Sequence, residues 1–207
     1  MTLEEAIKKT DEAYGLMVQA SRLMTDAVMN GFLFTWQWWA GVSLAVIPWM
    51  LWFFFRKKES SDRLLYAGFL VMLLASVMDL LGTSSGRWTY PMKILPTTAI
   101  FLPYQFTVIP VSAMFFLQIK PNLNPFLKAI VFAGLGAYIG LPLLAMYNFY
   151  NPKNWAYTYS FFILMGIYLV AHWFSRMNNF ERIELNDPKK SNRKLDFNVL
   201  RRKEKIR

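Results

Sequence analysis

Long runs of apolar residues fill most of the chain between residues 36 and 174, and most charged residues lie outside these runs. A helix needs ~20 mainly apolar residues to cross the hydrocarbon core of a bilayer, and the runs have roughly this length. They predict about five crossings, at residues 36–55, 64–81, 103–119, 126–147 and 155–174. The pattern therefore predicts an all-α fold, a polytopic transmembrane helix bundle that occupies residues 35–175.

The third crossing is the least regular of the five. Pro96, Pro103 and Pro110 interrupt the apolar residues between 92 and 119. Because proline lacks a backbone N–H and disturbs a helix, one straight helix is not expected here. We expect a short interfacial or re-entrant piece at residues 90–102, followed by a crossing helix at 103–119. A single long, tilted and kinked helix is the alternative.

Residues 1–34 precede the first crossing and predict an amphipathic helix. Thr2 and Glu5 form the capping-box pattern with which many helices begin. Apolar residues recur at helical spacing, at Leu3, Ile7, Tyr14, Met17, Met24 and Val28. Such a helix lies on the membrane or folds back on the bundle. Binding to a partner protein, or a coiled coil, is the alternative, and the heptad pattern is too short to define an oligomeric state.

The distribution of cations predicts the orientation of the chain. With the N-terminal helix outside, 17 of the 23 Lys and Arg residues fall on cytoplasmic segments and 6 on outside segments. Cytoplasmic loops of membrane proteins carry such an excess. Residues 176–207 then form a basic cytoplasmic tail, whose cations attract anionic lipid at about 1 kcal/mol each near the surface. No nucleic-acid partner is predicted, because no aromatic interleaving accompanies these cations.

Composition excludes several kinds of chemistry. The chain has no cysteine, so disulfides, thiolate catalysis and cysteine-bound metals are excluded. His172 is the sole histidine, which rules out a histidine-rich metal site within one chain. We predict no catalytic residue, no cofactor and no metal. The first residues lack the basic and apolar regions of a signal peptide, so we expect the mature chain to start near Met1.

Four polar residues are candidates for a functional site. Asp79 lies near the outer end of the second crossing, where a carboxylate must be hydrated, paired or protonated. It either has a structural role, as an ion pair with Arg87 across the turn after Gly82 or in packing at the helix end, or it titrates or contacts a ligand in a cavity. Gln105 and Gln118 lie on the proline-rich crossing. They either form hydrogen bonds between helices or line a pathway together with Asp79.

Several motifs occur in a recognisable order along the chain. They are Asp79-x-x-Gly82, Trp88-x-Tyr90, Pro96, Pro103, Pro110, Gln118-x-x-Pro121 and Asn154-Trp155. Over about residues 36–175 this order resembles a family of small multi-pass membrane proteins from Bacillus- and Clostridium-type bacteria. The resemblance implies a bacterial plasma-membrane location. The family is functionally uncharacterised, so the resemblance implies no activity and no catalytic residue.

Three classes of function are compatible with these features. A structural or accessory protein that binds a membrane protein or lipid is favoured by the amphipathic helix and by the lack of paired ionisable groups. A small carrier or channel, with a polar site near Asp79 and a broken third crossing, is the alternative. A lipid-modifying enzyme has the least support, because one intramembrane carboxylate and one histidine on opposite sides of the bilayer are poor material for acid–base catalysis.

Overall fold

The computed structural model describes residues 1–96 and 100–177, so nearly all of the predicted tail at 176–207 lies outside the described residues. Its helices are α1 (Leu3–Ala27), α2 (Trp36–Phe55), α3 (Ser61–Ser84), α4 (Ile109–Gln118), α5 (Pro125–Leu135), α6 (Leu141–Met146) and α7 (Tyr157–Ser175). A π-helical turn follows α1 at Val28–Phe32, another precedes α4 at Tyr104–Val108, and a third joins α5 to α6 at Gly136–Gly140. A short 3₁₀ turn, Lys58–Ser60, precedes α3.

Within the described residues, four helices are long and apolar enough to cross a membrane. They are Trp36–Phe55, Lys58–Ser84, Pro125–Met146 and Tyr157–Ser175. The prediction of a mostly helical chain whose helices are long and apolar enough to cross a membrane is therefore confirmed. The segment expected to form the third crossing is helical from Tyr104 to Gln118 and is shorter than these four.

The prolines of this third segment create a backbone acceptor that fixes it against α2. Pro110 has no N–H, so the carbonyl of Phe106, four residues earlier, has no α-helical donor. That carbonyl accepts a hydrogen bond from the indole nitrogen of Trp49 at 3.1 Å. The hydroxyl of Thr107 donates to the carbonyl of Ala45 at 3.1 Å. Both bonds join the segment to the middle of α2.

The residues just before this segment are not helical where the structure describes them. Residues 90–96 and 100–101 have no helical assignment, and residues 97–99 lie outside the described part of the chain. A single long helix over 92–119 is therefore wrong. In the piece expected at 90–102, whose interfacial or re-entrant position stays a prediction, Tyr90, Met92 and Phe101 contact residues 148–150.

Small side chains form the centre of the bundle. Ala67 in α3, Ala113 in α4, Ala133 in α5 and Ala171 in α7 have no exposed surface. Small residues let helices pack closely where lipid gives no hydrophobic driving force between them. Large apolar side chains lie on the outer surface instead, including Phe53, Phe54, Phe55, Phe69, Leu80, Leu81 and Trp173. A bilayer is the solvent that this arrangement suits.

The N-terminal helix α1 begins as the sequence predicts but packs differently from the crossing helices. The backbone N–H of Glu5 donates to the Thr2 hydroxyl at 3.2 Å, and the N–H of Thr2 donates to the Glu5 carboxylate at 2.9 Å. The predicted capping box is therefore confirmed. None of the residues of α1 is buried. Its apolar face is thus not packed into the bundle.

Two short strands, β1 (Trp88–Thr89) and β2 (Asn151–Pro152), were not predicted. They pair antiparallel, with Trp88 opposite Pro152 and Thr89 opposite Asn151. A strand pair this short leaves no alternating pattern in the sequence, so it follows from tertiary contact alone. The pair joins the loop after α3 to the loop after α6.

Candidate functional site

The carboxylate of Asp79 lies inside the bundle near the C-terminal end of α3, where the residue is 4% exposed. Its Oδ1 atom accepts hydrogen bonds from the Trp88 indole nitrogen at 2.8 Å and from the Tyr90 hydroxyl at 2.5 Å. Its Oδ2 atom accepts one from Nε2 of Gln105 at 2.5 Å. Three donors from two different segments therefore converge on one buried carboxylate.

Gly82 makes room for the first of these donors. It lies almost one turn after Asp79, on the same face of α3. A Cβ atom at this position would overlap the six-membered ring of Trp88. The absence of a side chain at Gly82 therefore lets the indole lie directly on the helix, with its nitrogen at the carboxylate.

The end of α3 turns the chain back toward Asp79. Gly86 has a φ of +66°, in the left-handed region that favours glycine. The N–H of Arg87 donates to the carbonyl of Gly82 at 2.9 Å, and the N–H of Gly86 donates to Thr83 at 3.1 Å. These two bonds are the Schellman arrangement that ends a helix. The turn brings Trp88 and Tyr90 back beside the helix that carries Asp79.

Aromatic side chains from two loops pack around the donors of this site. The rings of Trp88 and Trp155 have centroids 4.9 Å apart. Tyr90 stacks on Phe101 at 5.8 Å and contacts Tyr150 at 5.8 Å. Such pairs add about 0.5–1.5 kcal/mol each beyond the area they bury. The donors are therefore held in place by packing as well as by the β1–β2 pairing.

A cavity of about 60 Å³ adjoins the carboxylate. A cavity needs roughly 10–15 Å³, measured in the same way, to hold one water molecule. The cavity beside Asp79 therefore has room for a group of only a few heavy atoms. Gln105 lines it and is 1% exposed, and its Oε1 atom is buried without a hydrogen-bond partner among the described residues. The site thus contains an unused acceptor next to a carboxylate.

Lys93 is a second buried charged residue close to this site. It is 2% exposed, and its Nζ atom donates to the carbonyl of Ile100 at 3.5 Å. Burial lowers the pKa of Lys93, and the charge of Asp79 opposes this shift. Lys93 was not predicted as part of the site, because a lysine between two crossings has the sequence context of an ordinary loop cation. No local signal marks it as buried.

The Tyr90 hydroxyl is a stable donor to the carboxylate. Burial raises the pKa of Tyr90 well above its usual value, and the adjacent charge of Asp79 raises it further. The phenol therefore keeps its proton at neutral pH. The hydrogen bond from Tyr90 to Asp79 is present wherever the carboxylate is ionised.

Arg87 does not pair with Asp79 as one interpretation of the sequence expected. Its side chain is exposed, and no ion pair joins it to Asp79 in the described part of the chain. Its backbone carbonyl instead accepts hydrogen bonds from the N–H groups of Lys153 at 3.0 Å and Asn154 at 3.3 Å. Arg87 thus contributes to the contact between the two loops.

Gln118 lies at the other end of the third segment and does not line the cavity. Its Nε2 atom donates to the carbonyl of Phe55 at 3.0 Å, and its Oε1 atom accepts from the N–H of Lys57 at 3.3 Å. Of the two glutamines, only Gln105 joins Asp79. A pathway lined by both glutamines and Asp79 is not formed in this structure.

The site combines a buried carboxylate and its three hydrogen-bond donors with aromatic rings and apolar walls, and pockets for small ligands commonly have such a mixture of groups. No group of three or more His, Asp or Glu residues in residues 1–96 and 100–177 could hold a metal ion. Comparison of the chain with protein-family models, with curated proteins and with solved structures found no match in any of the three.

Proposed function

We propose that this chain is a structural or accessory protein of a bacterial plasma membrane, a member of the family it resembles, that acts by binding another membrane protein. The observation that carries this proposal is α1, a capped helix of 25 residues none of which is buried. Most helical stability in proteins comes from packing of an apolar face. The apolar face of α1 therefore needs a surface that the bundle does not supply.

The spacing of that face favours another helix as its partner. Steps of four and three residues relate Leu3, Ile7, Thr10, Tyr14, Met17, Ser21, Met24 and Val28, which is the spacing of a coiled-coil seam. Beside the seam, alanine occurs at every seventh residue, at Ala6, Ala13, Ala20 and Ala27. Small side chains at one edge allow a partner helix to approach closely.

The charge of α1 favours a protein over an anionic lipid surface. Leu3–Ala27 contains five acidic and three basic residues, a net charge of −2. Helices that lie on anionic membranes are usually rich in Lys and Arg on their polar face. We therefore assign the anionic-lipid contact of this protein to the basic tail at 176–207 and not to α1.

We further propose that Tyr104–Gln118 is a fifth crossing. Gln105 bonds Asp79 near the end of α3, and Gln118 bonds Phe55 at the end of α2. These 15 helical residues rise about 22 Å, so residues on either side of the helix complete a crossing of a hydrocarbon core about 30 Å thick. Five crossings put the two termini on opposite sides of the membrane, and the excess of cations on one set of segments then favours an outside N-terminus and a cytoplasmic C-terminus.

Site-specific photo-crosslinking in native membranes tests the proposed role of α1. A photoreactive residue replaces Met17 in the seam or, as the matched control, Glu12 on the charged face. We expect a discrete protein adduct from position 17 and none from position 12. Changing both Ile7 and Met17 to Asn should remove the partner from the purified protein without lowering the melting temperature of the bundle. Equal crosslinking from both positions, or adducts with lipid alone, would contradict the proposal.

A small carrier or channel is the second candidate, and the polar cavity beside Asp79 is the observation that favours it. Under this reading, well-folded Asp79→Asn in proteoliposomes should lose a pH-dependent flux that the unchanged protein shows. If the unchanged protein shows no flux, a carrier or channel function is excluded. A lipid-modifying enzyme is third, since no acid–base pair lines the cavity in the described residues.

A further inference from the structure

The cavity beside Asp79 presents two acceptors that the protein leaves unused. A carboxylate has about four lone-pair sites, and three of those on Asp79 are taken. The Oε1 atom of Gln105 is buried and has no partner among the described residues. The amide nitrogen of Gln105 donates to Oδ2 of Asp79 and to the Tyr90 hydroxyl, which is the orientation that an ionised carboxylate favours. A ligand must therefore supply at least two donors.

The charge of the buried carboxylate determines which kind of donor group a ligand should carry. A buried carboxylate is costly without a countercharge. No cation in the described residues lies within ion-pair distance of Asp79, and the nearby Nζ of Lys93 faces the carbonyl of Ile100. Burial also lowers the pKa of Lys93, which weakens it as a countercharge. A positively charged ligand would neutralise the site.

The walls of the cavity distinguish an organic cation from a metal ion. Trp88, Tyr90, Tyr104 and Tyr150 line the cavity. Aromatic faces attract ammonium groups, whereas divalent cations such as Ca²⁺ require six or more oxygen ligands. Ile109 and Leu141 add apolar surface that suits an alkyl chain. The volume of about 60 Å³ limits the bound part to a few heavy atoms.

We propose that this cavity binds a primary ammonium group, which donates to Asp79 Oδ2 and Gln105 Oε1 within the aromatic lining. The group belongs either to a small free alkylamine or to the ethanolamine headgroup of a lipid. This site is separate from the surface of α1, so failure of one proposal leaves the other standing.

The first test is the melting temperature of the full-length protein in detergent free of ethanolamine lipid. Methylammonium chloride is compared with tetramethylammonium chloride and sodium chloride at equal ionic strength. We expect saturating methylammonium to raise the melting temperature by roughly 3 °C or more over sodium. Tetramethylammonium, which has no N–H donor, should give no such rise. Equal effects of methylammonium and sodium, or of the two ammonium ions, would overturn the proposal.

Substitutions of residues that line the cavity test whether methylammonium binds there. Asp79→Asn and Gln105→Leu should each abolish the shift caused by methylammonium. Gln118→Leu, the matched glutamine at the other end of the segment, should keep it. If Asp79→Asn does not fold, Ala75→Val serves instead, because it narrows the cavity from α3 without removing a polar group. A shift that persists in Ala75→Val or Gln105→Leu would place binding elsewhere and overturn the assignment.

Lipid nanodiscs distinguish the two sources of the ammonium group. One preparation contains phosphatidylethanolamine and phosphatidylglycerol, the other phosphatidylcholine and phosphatidylglycerol. If the headgroup is the ligand, methylammonium should raise the melting temperature only in the discs that lack ethanolamine lipid. A rise in both preparations identifies a free amine as the ligand, and a rise in neither overturns the proposal.

Discussion

The two ends of the segment Tyr104–Gln118 each carry a glutamine, and the two glutamines have different roles. Gln118 bonds backbone groups at the end of α2 through both atoms of its amide. Gln105 uses only its nitrogen, toward Asp79, and its oxygen has no partner in the described residues. A polar side chain between helices is structural when its neighbours satisfy both halves of the amide. It becomes a candidate binding group when they satisfy one.

One buried lysine lies near each end of the segment Tyr104–Gln118, and the two lysines also differ in what lies next to them. Lys128 donates to the carbonyl of Ile119 at 2.8 Å and so satisfies backbone at the end of the third segment. Lys93 is also buried, but it lies close enough to Asp79 for the charge of that carboxylate to affect its pKa. The side chains of Gln118 and Lys128 bond to backbone groups at the ends of helices, although the Nε atom of Arg56 beside them has no hydrogen-bond partner among the described residues. The Gln105 end differs because its unpartnered amide oxygen lies in a cavity lining that also contains a buried carboxylate.

Replacing the carboxylate should have the largest effect on stability. Asp79→Leu leaves the donors of Trp88, Tyr90 and Gln105 without their acceptor, and we expect a loss of about 3 kcal/mol or more. Unfolding by denaturing detergent in micelles measures it. Asp62→Leu, at an exposed position in the first turn of α3, should stay within about 0.5 kcal/mol of the unchanged protein. Equal stability of the two variants would contradict the role given to Asp79.

Filling the space beside Trp88 should have the next largest effect. Gly82→Ala places a methyl group where the indole lies, and we expect a loss of about 1–3 kcal/mol. The matched control is Gly166→Ala in α7, where nothing lies within 4 Å of the added atom. The control should be neutral or slightly stabilising, since alanine favours a helix over glycine by about 1 kcal/mol. Trp88 fluorescence should change only in Gly82→Ala, and a change of similar size in the control would count against this packing.

Replacing Gln118 and replacing Gln105 should change different parts of the protein. The location of the change, more than the size of the stability loss, distinguishes the two variants. Gln118→Leu removes two hydrogen bonds to backbone, and we expect a loss of about 1 kcal/mol. Hydrogen exchange should quicken at the amide of Lys57 in this variant. Gln105→Leu should leave that amide protected and change the surroundings of Tyr90 instead. Faster exchange at Lys57 in both variants would remove the distinction between the two ends.

The smallest predicted effect is a pH dependence of the free energy of unfolding. It arises because the pKa of Lys93 is lower in the folded chain than in the unfolded one. Burial lowers its pKa in the folded chain, so between that lowered pKa and 10.5 the unfolded chain binds more protons than the folded one. Stability should therefore rise with pH across this window. Above about pH 10 the raised pKa of Tyr90 acts in the opposite direction, so melting temperatures are compared below that pH. Lys93→Met should flatten the rise, and Lys153→Met, in the opposite loop, should not.

Local features of the sequence predicted a large part of the fold. Thr2 and Glu5 predicted the start of α1, because a capping box involves only neighbouring residues. Apolar runs predicted the crossing helices, because a helix satisfies its own backbone in lipid. The pairing of β1 with β2 and the burial of Lys93 could not be predicted. The strand pairing depends on two loops, about sixty residues apart in the chain, that meet only in the folded protein.

Sequence alone determined that this is a helical protein with helices long and apolar enough to cross a membrane, and it singled out Asp79 and Gln105 as polar residues in apolar surroundings. Only the tertiary structure decided that these two side chains meet, that Arg87 stays exposed and that Gln118 caps α2. The physical reason is the range of the interactions. Hydrophobicity and capping act over a few neighbouring residues. The hydrogen bonds of a buried carboxylate are formed only when segments distant in the chain pack together.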